Sequence, residues 1–197
     1  MANKESTFTN MLLTLVIVSV LAALALGGVY TATEKPIAKN KEQKLKEALK
    51  NVLPAFDNEI GKDTLTVAVD GSDKKLTFYK AKKEGELVGV AIETYSMQGY
   101  SGEIRLMVGF DPQGVIQNIS VLEHKETPGL GDKMEKGKDD WSKDFNGKNP
   151  ADFSLQVKKD GGDVDAITAA TISSRAYCDA VQRAYDAFEK HIKGGQK

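Results

Sequence analysis

Between Phe8 and Thr33 the chain carries no charged side chain, and Met11 to Val29 is an almost unbroken run of Leu, Val, Ala and Ile. As a helix, those nineteen positions span roughly 28 Å, close to the thickness of a bilayer's hydrocarbon layer. No polar stripe interrupts the run, so a helix there has no face to turn toward water and is poorly suited to a soluble core. A cleaved signal peptide has a shorter apolar centre, about 7 to 15 residues, followed by a small-residue cleavage site. Ala23-Leu24-Ala25 has the small-x-small form but lies inside the run. The pattern predicts a retained single-pass anchor over 11–29, preceded by a short tail over 1–10 and followed by a stalk over 30–40.

Orientation is harder to read from charge. Lys4 precedes the span, whereas Lys35, Lys39, Lys41, Lys44 and Lys46 follow it. A Lys/Arg count alone puts the large domain on the cytoplasmic side.

The remainder, 41–197, is long enough for one compact domain with its own core. Its chemistry is constrained by what is scarce. The whole chain has 27 Lys and Arg against 28 Asp and Glu, a balance that argues against a nucleic-acid surface. One cysteine, Cys178, precludes an intramolecular disulfide or a multi-cysteine cluster made by this chain alone. On a helix it reads as a small buried residue. His124 and His191 are too few and too far apart for a metal site.

Lys41 to Val52 reads as an amphipathic helix with Leu45, Ala48, Leu49 and Val52 on one side, ended by Pro54. Thr64–Val69, Leu76–Lys80 and Leu87–Thr94 are short and β-rich, separated by turn signals at Asp70-Gly71 and Glu84-Gly85. Ile104–Phe110 and Val115–Leu122 flank Asp111-Pro-Gln-Gly114 as a hairpin. A short helical patch is expected around Asp139 to Phe145, and a strand over Phe153–Val157. A final helix starts after Ser173 and runs to about Ile192, with Tyr177, Val181, Ala184, Phe188 and Ile192 on one face. Ser173 or Ser174 would be its N-cap. Strands followed by helices, without a βαβ rhythm, give an α+β domain: an antiparallel sheet flanked by helices.

Hydroxyls concentrate where that helix begins: Thr168, Thr171, Ser173 and Ser174, with Ala169 and Ala170 between them. Two readings of the cluster stand side by side. It caps the helix with its own side chains, or it surrounds an anion that meets the first-turn N–H groups and the positive end of the helix dipole. The glycine pairs Gly27-Gly28, Gly129-Leu130-Gly131 and Gly161-Gly162 have neither nucleotide-loop spacing and read as turns.

Asp165-Ala-Ile-Thr-Ala-Ala-Thr-Ile-Ser173 resembles the flavinylation motif of the FMN-binding domain family, whose pattern runs Asp, two variable residues, Ser or Thr, Gly, Ala, Ser or Thr, one variable residue, then the acceptor. His124-Lys-Glu-Thr-Pro-Gly-Leu-Gly131 resembles the family's turn beside the isoalloxazine ring, and Tyr100-Ser-Gly102 a third piece of the pocket. With the anchor, the resemblance covers essentially the whole chain. It extends to the members of Rnf electron-transport complexes that carry this domain, and to their relatives in the sodium-translocating NADH:quinone oxidoreductase.

The resemblance implies a single FMN held as a phosphoester on Ser173, with Asp165, Thr168 and Thr171 read by a flavin transferase. Glu126, Thr127, Pro128, Gly129 and Leu130 would lie beside the flavin, and Tyr100 would help place the ring. Ala169 stands where the family has Gly, and Ser173 where the acceptor is usually Thr. A methyl at 169 can oppose a left-handed backbone, which leaves non-covalent FMN, or attachment at Thr171, as open alternatives. The same resemblance implies a membrane-anchored protein that relays electrons through FMN between carriers in the other subunits of an Rnf-type complex, membrane-embedded flavin- and iron–sulfur-carrying subunits among them. That complex would couple ferredoxin and NAD chemistry to ion movement, with this domain on the periplasmic side of the bacterial inner membrane. A second expectation is the corresponding flavin-carrying component of the quinone oxidoreductase, and a third a scaffold or assembly protein with an empty site. His124, Trp141 and Tyr177 read as structural residues of the loop and core.

Overall fold

A computed structural model describes residues 7–61, 64–69 and 73–194. The expected turn at Asp70-Gly71 and the first six residues of the tail lie outside them. The chain divides into two compact units, 1–44 and 45–197.

One helix, α1 (Phe8–Val52), starts in the first unit ahead of the expected span and runs past that unit's end at Lys44, and its Leu, Val and Ile side chains from Leu12 to Val29 are exposed. It is the one helix among the described residues long and apolar enough to cross a membrane. Two of its hydroxyls are already satisfied for an apolar medium: Thr14 donates to the Asn10 carbonyl at 2.7 Å and Thr33 to the Val29 carbonyl at 2.8 Å, so neither brings an unpaired donor into lipid.

The expected stalk over 30–40 is helical, and Lys41–Val52 belongs to α1 instead of forming a helix of its own. Pro36 lies inside the helix. It removes one amide donor and crowds the carbonyl four residues earlier. Ala32, Ala38 and the flanking Lys and Glu residues are strong helix formers that carry the helix across it.

The second unit is built on a five-stranded antiparallel meander: β1 (Thr64–Ala68), β2 (Lys75–Lys83), β3 (Glu86–Gly99), β4 (Gly102–Phe110) and β5 (Ile116–Glu123), in that spatial order. Every neighbour in the sheet is a neighbour in sequence, so tight turns suffice and no crossover is needed. Five of the six expected strands are present. Phe153–Val157 is not a strand: only Val157 makes an isolated parallel bridge, to Val164. The patch around Trp141 is a 3-10 helix, Trp141–Phe145.

Each face of the central strands is covered. On one side lies α2 (Thr171–Phe188), continued by a π-type turn over Glu189–Lys193. Tyr177, Val181, Ala184, Phe188 and Ile192, the apolar face read from the sequence, are buried in one cluster with Val90, Ile92, Leu106, Val108 and Phe110. The buried Thr94 hydroxyl donates to the Ala180 carbonyl at 2.9 Å, pinning mid-helix to mid-strand. On the other side Ala48, Leu49, Val52, Leu53 and Ile60 pack on Tyr79, Ala81, Ala91 and Met107. There the backbones nearly touch: a Cβ at Gly109 would overlap the Val52 carbonyl oxygen.

Candidate functional site

At one end of the sheet three chain segments, far apart in sequence, converge on a single carboxylate. Strands β3 and β4 join through Tyr100-Ser101, closed by the pair Gly99 and Gly102. Gly102 has a φ of 104°, and a Cβ on Gly99 would overlap the Gly102 carbonyl. Only glycine fits both places. The Ser101 N–H donates to Glu126 Oε1 at 2.9 Å, while the Ser173 hydroxyl donates to Glu126 Oε2. Glu126 is 5% exposed and Ser173 2%. The carboxylate therefore ties the hairpin tip to the first turn of α2.

The loop that carries Glu126 is itself braced. The Glu126 N–H donates to His124 Nδ1 at 3.1 Å, and His124 Nε2 faces Glu135 Oε1 at 2.7 Å. An Nδ1 that accepts leaves the ring proton on Nε2, so His124 is a loop brace. Beyond it, Leu130 N–H donates to the Thr127 carbonyl at 3.1 Å around Pro128-Gly129, with Gly129 at φ 78°, the arrangement a type II turn demands. The turn leads into a 3-10 helix over Gly131–Met134. A Cβ on Gly131 would stand 2.6 Å from Ser173 Oγ, so this helix abuts α2 directly.

The segment before α2 is held by its backbone. Trp141 Nε1–H donates to the Asp165 carbonyl at 2.6 Å, and Lys158 pairs with the Asp165 carboxylate at 2.7 Å. Trp141 also packs edge-on against Phe145 and Tyr177. The Ile167 N–H donates to Ser174 Oγ at 2.9 Å, and that hydroxyl donates onward to the Ala170 carbonyl at 3.0 Å. Ser174 is thus a bridge between turn and helix. The helix begins at Thr171, earlier than the hydroxyl spacing suggests, with Ala170 in the cap position and no side-chain cap. The choice between capping and anion binding therefore falls against capping: the first-turn N–H groups, which no α-helix satisfies internally, have no capping side chain here.

Ala169 adopts φ 62°. The left-handed backbone that a glycine would provide is retained, with the methyl's strain added to it.

A cavity of about 570 Å³ opens at this helix end, lined by Tyr100, Glu126, Thr127, Leu130, Gly131 and residues 169–173. That size is ordinary for a small-molecule or cofactor site. Its polar lining comes from the start of α2 with Thr171 and Ser173, and from Glu126 and Thr127. Its rim is apolar: Tyr100 is 70% exposed, Ile172 46% and Leu130 40%. Positive helix end and apolar rim together suit an anionic group attached to a flat apolar body.

Of the residues singled out from sequence, Tyr100, Glu126, Thr127, Leu130, Thr171 and Ser173 meet at the cavity. Pro128 and Gly129 shape the turn beside it. Asp165 and Thr168 are exposed and do not line it. Sequence reasoning gives no role to Ser101, Gly131 or Ile172. All three fall within the quoted motifs and carry that much signal, Ile172 at one of the motif's variable positions. Cys178 is buried in the core, where desolvation pushes its thiol up to about 12, far from a reactive thiolate.

Residues 99–186 match the family described as FMN-binding domain, a stretch that includes the hairpin tip, the 124–134 loop and most of α2. The chain is 37% identical to the G subunit of the ion-translocating oxidoreductase complex of Shewanella piezotolerans, over 95% of this chain and 92% of that protein. It is 41% identical to the G subunit of Shewanella amazonensis, over 82% of this chain and 78% of that one. For the G subunit of Vibrio cholerae the identity is 36%, covering 89% and 88%.

Proposed function

Because the chain belongs to the family of G subunits of ion-translocating oxidoreductase complexes, we propose that it is a membrane-anchored component whose single FMN is tethered by its phosphate to Thr171. Membership and the FMN-binding domain make it an FMN-carrying electron-transfer member of a redox complex. The covalent link, its position and the partners are the proposal.

The observation that carries it is the uncapped start of α2 inside the cavity. A phosphate on Thr171 meets the N–H groups of the first turn and the positive end of the helix, where an anion is stabilised by roughly 0.3–1 kcal/mol, or up to about 2 when partly buried. Thr171 is half-buried and lines the cavity, whereas Ser173, the acceptor expected from sequence, is buried with its hydroxyl on Glu126. An FMN phosphate on Ser173 would sit against that carboxylate, anion against anion. Thr171 fits the group and Ser173 does not.

Each residue then has a task. Tyr100, Leu130 and Ile172 supply apolar surface for the ring system and shield it from water. Glu126 and His124 keep the Thr127–Leu130 turn in place, while Trp141 and Ser174 hold the acceptor segment through its backbone. When bound, FMN supplies the electron chemistry, and the protein positions it and tunes its surroundings. An exposed rim serves a relay that must pass electrons to a neighbouring protein, since a closed pocket would put distance between carriers.

We further propose that attachment needs a flavin transferase that reads Asp165 and Thr168, both exposed and away from the cavity. The domain then faces the periplasmic side, against the lysine count, and works among membrane-embedded subunits of a complex that links ferredoxin and NAD to ion transport. The corresponding role in a quinone oxidoreductase would use the same site.

Intact mass after coexpression with a flavin transferase and denaturation tests the central claim. We expect a gain of one FMN less water, lost entirely in Thr171→Ala and kept in Thr171→Ser. A colourless, unmodified wild-type protein would leave the scaffold reading in its place.

A further inference from the structure

We propose that Glu126 is a specificity-determining residue: by holding the Ser173 hydroxyl inward it leaves Thr171 as the one cavity-lining hydroxyl of the helix-start cluster open to FMN transfer. The inference rests on the tether just proposed and explains how one site is chosen from a cluster of four hydroxyls. Ser174 is bonded to Ile167 and Ala170, Ser173 is bonded to Glu126, and Thr168 lies outside the cavity. Among the described residues the Thr171 hydroxyl has no hydrogen-bond partner, and it lines the cavity.

Thr171 and Ser173 are two positions apart on a helix, about 200° around its axis, so they point to nearly opposite sides, and only re-forming the first turn would exchange them. What fixes the rotation comes from outside the helix. Glu126 is buried and engages two partners, with one oxygen on the Ser101 N–H of the hairpin tip and the other on Ser173. The Gly131 backbone closes the remaining space on the Ser173 side. A carboxylate held by both partners cannot follow Ser173 outward without abandoning the Ser101 N–H.

The transfer itself is balanced without change of oxidation state. An O–P bond forms between the Thr171 side-chain oxygen and the FMN phosphorus, and the phosphoanhydride of a flavin-nucleotide anhydride donor breaks. The hydroxyl proton passes to a base of the transferase, and the nucleoside monophosphate leaves. Glu126 takes no part in these bonds. It is a positioning residue, acting through Ser173 and the helix start.

A competing role for the same geometry is that Glu126 serves as the base for Ser173, and the test separates the two. Full-length protein is coexpressed with its flavin transferase, digested with trypsin, and the flavin is localised by fragmentation within the Asp160–Arg175 peptide, which contains all four hydroxyls. We expect flavin on Thr171 alone in the wild type, and in Glu126→Gln, which keeps the length needed to reach Ser101 and Ser173. Glu126→Ala should raise the share on Ser173 about tenfold, as for loss of one hydrogen bond to a charged group. Thr171→Ala should be unmodified, while Thr171→Ala combined with Glu126→Ala should regain flavin on Ser173.

An unchanged distribution in Glu126→Ala, together with an unmodified double variant, would overturn the inference and leave the Thr171 tether standing. Flavin on Ser173 in the wild type, abolished by Glu126→Gln, would overturn both and make Glu126 the base. Circular dichroism accompanies each variant. If Glu126→Ala does not fold, Glu126→Asp takes its place, too short to hold both partners, and the same readings decide.

Discussion

The two covered sides of the sheet obey different rules. Against Tyr79, Ala81, Ala91 and Met107 the chain places Ala48, Leu49, Val52 and Leu53, with Gly109 meeting a carbonyl so closely that no side chain fits between. That side is a plain apolar contact. At the cavity end of α2 the same unit leaves a helix uncapped, bends Ala169 into a left-handed conformation, buries a glutamate and exposes Tyr100, Leu130 and Ile172. Every one of these departures costs stability, and they occur together around one cavity. The contrast separates residues that hold the fold from residues that hold a ligand.

Adding one methyl on each side measures the difference. Gly109→Ala drives a Cβ into the Val52 carbonyl, backbone against backbone, and should destabilise the domain by about 3 kcal/mol or more in thermal or urea unfolding. Gly131→Ala meets Ser173 Oγ at 2.6 Å, a side-chain atom that can rotate away, and Glu126 Cβ at 2.7 Å, which yields only with its loop. Its cost should be smaller, about 1–2 kcal/mol, and flavin localisation should show leakage from Thr171 as the Glu126 bond breaks. If the two variants unfold alike, the cavity end is as tightly built as the opposite face and the comparison fails.

The smallest effect has the opposite sign. Ala169→Gly removes the strain of a non-glycine residue at φ 62° and should stabilise the fold by about 1 kcal/mol, a rise of roughly 2–4 °C in Tm. Scanning calorimetry would detect it. A fall in Tm would mean that the methyl's contacts outweigh its backbone strain.

The fold is legible where the pattern is local. Strand alternation, the turn at Asp111-Pro-Gln-Gly114 and the apolar face of α2 are all written within a short stretch of chain, and the structure has each of them. Phe153–Val157 has strand-like composition but no neighbouring strand to pair with, and composition cannot supply a partner. Pro36 argues for a break, and the surrounding helix formers outweigh it. In the candidate site the motifs locate the right segments and miss the geometry between them. Ser173 and Ser174 both look like caps until their partners are known, and those partners, Glu126 and Ile167, are 47 and 7 positions away. Which hydroxyl turns inward is a tertiary fact that no spacing along the chain records.

Helix α1 does not end where its apolar run ends. Its last turns, from Leu45 onward, belong to the unit that holds the sheet, and Ala48, Leu49 and Val52 are core residues there. The boundary of the autonomous piece therefore falls inside a helix, between Lys44 and Leu45, and not at any loop. Anyone trimming the protein to a water-soluble fragment would find the obvious cut, at the helix terminus near Pro54, to be the damaging one, since it takes Ala48, Leu49, Val52 and Leu53 off one side of the sheet. A start a few residues before Leu45 discards the greasy segment and leaves both coverings of the sheet in place.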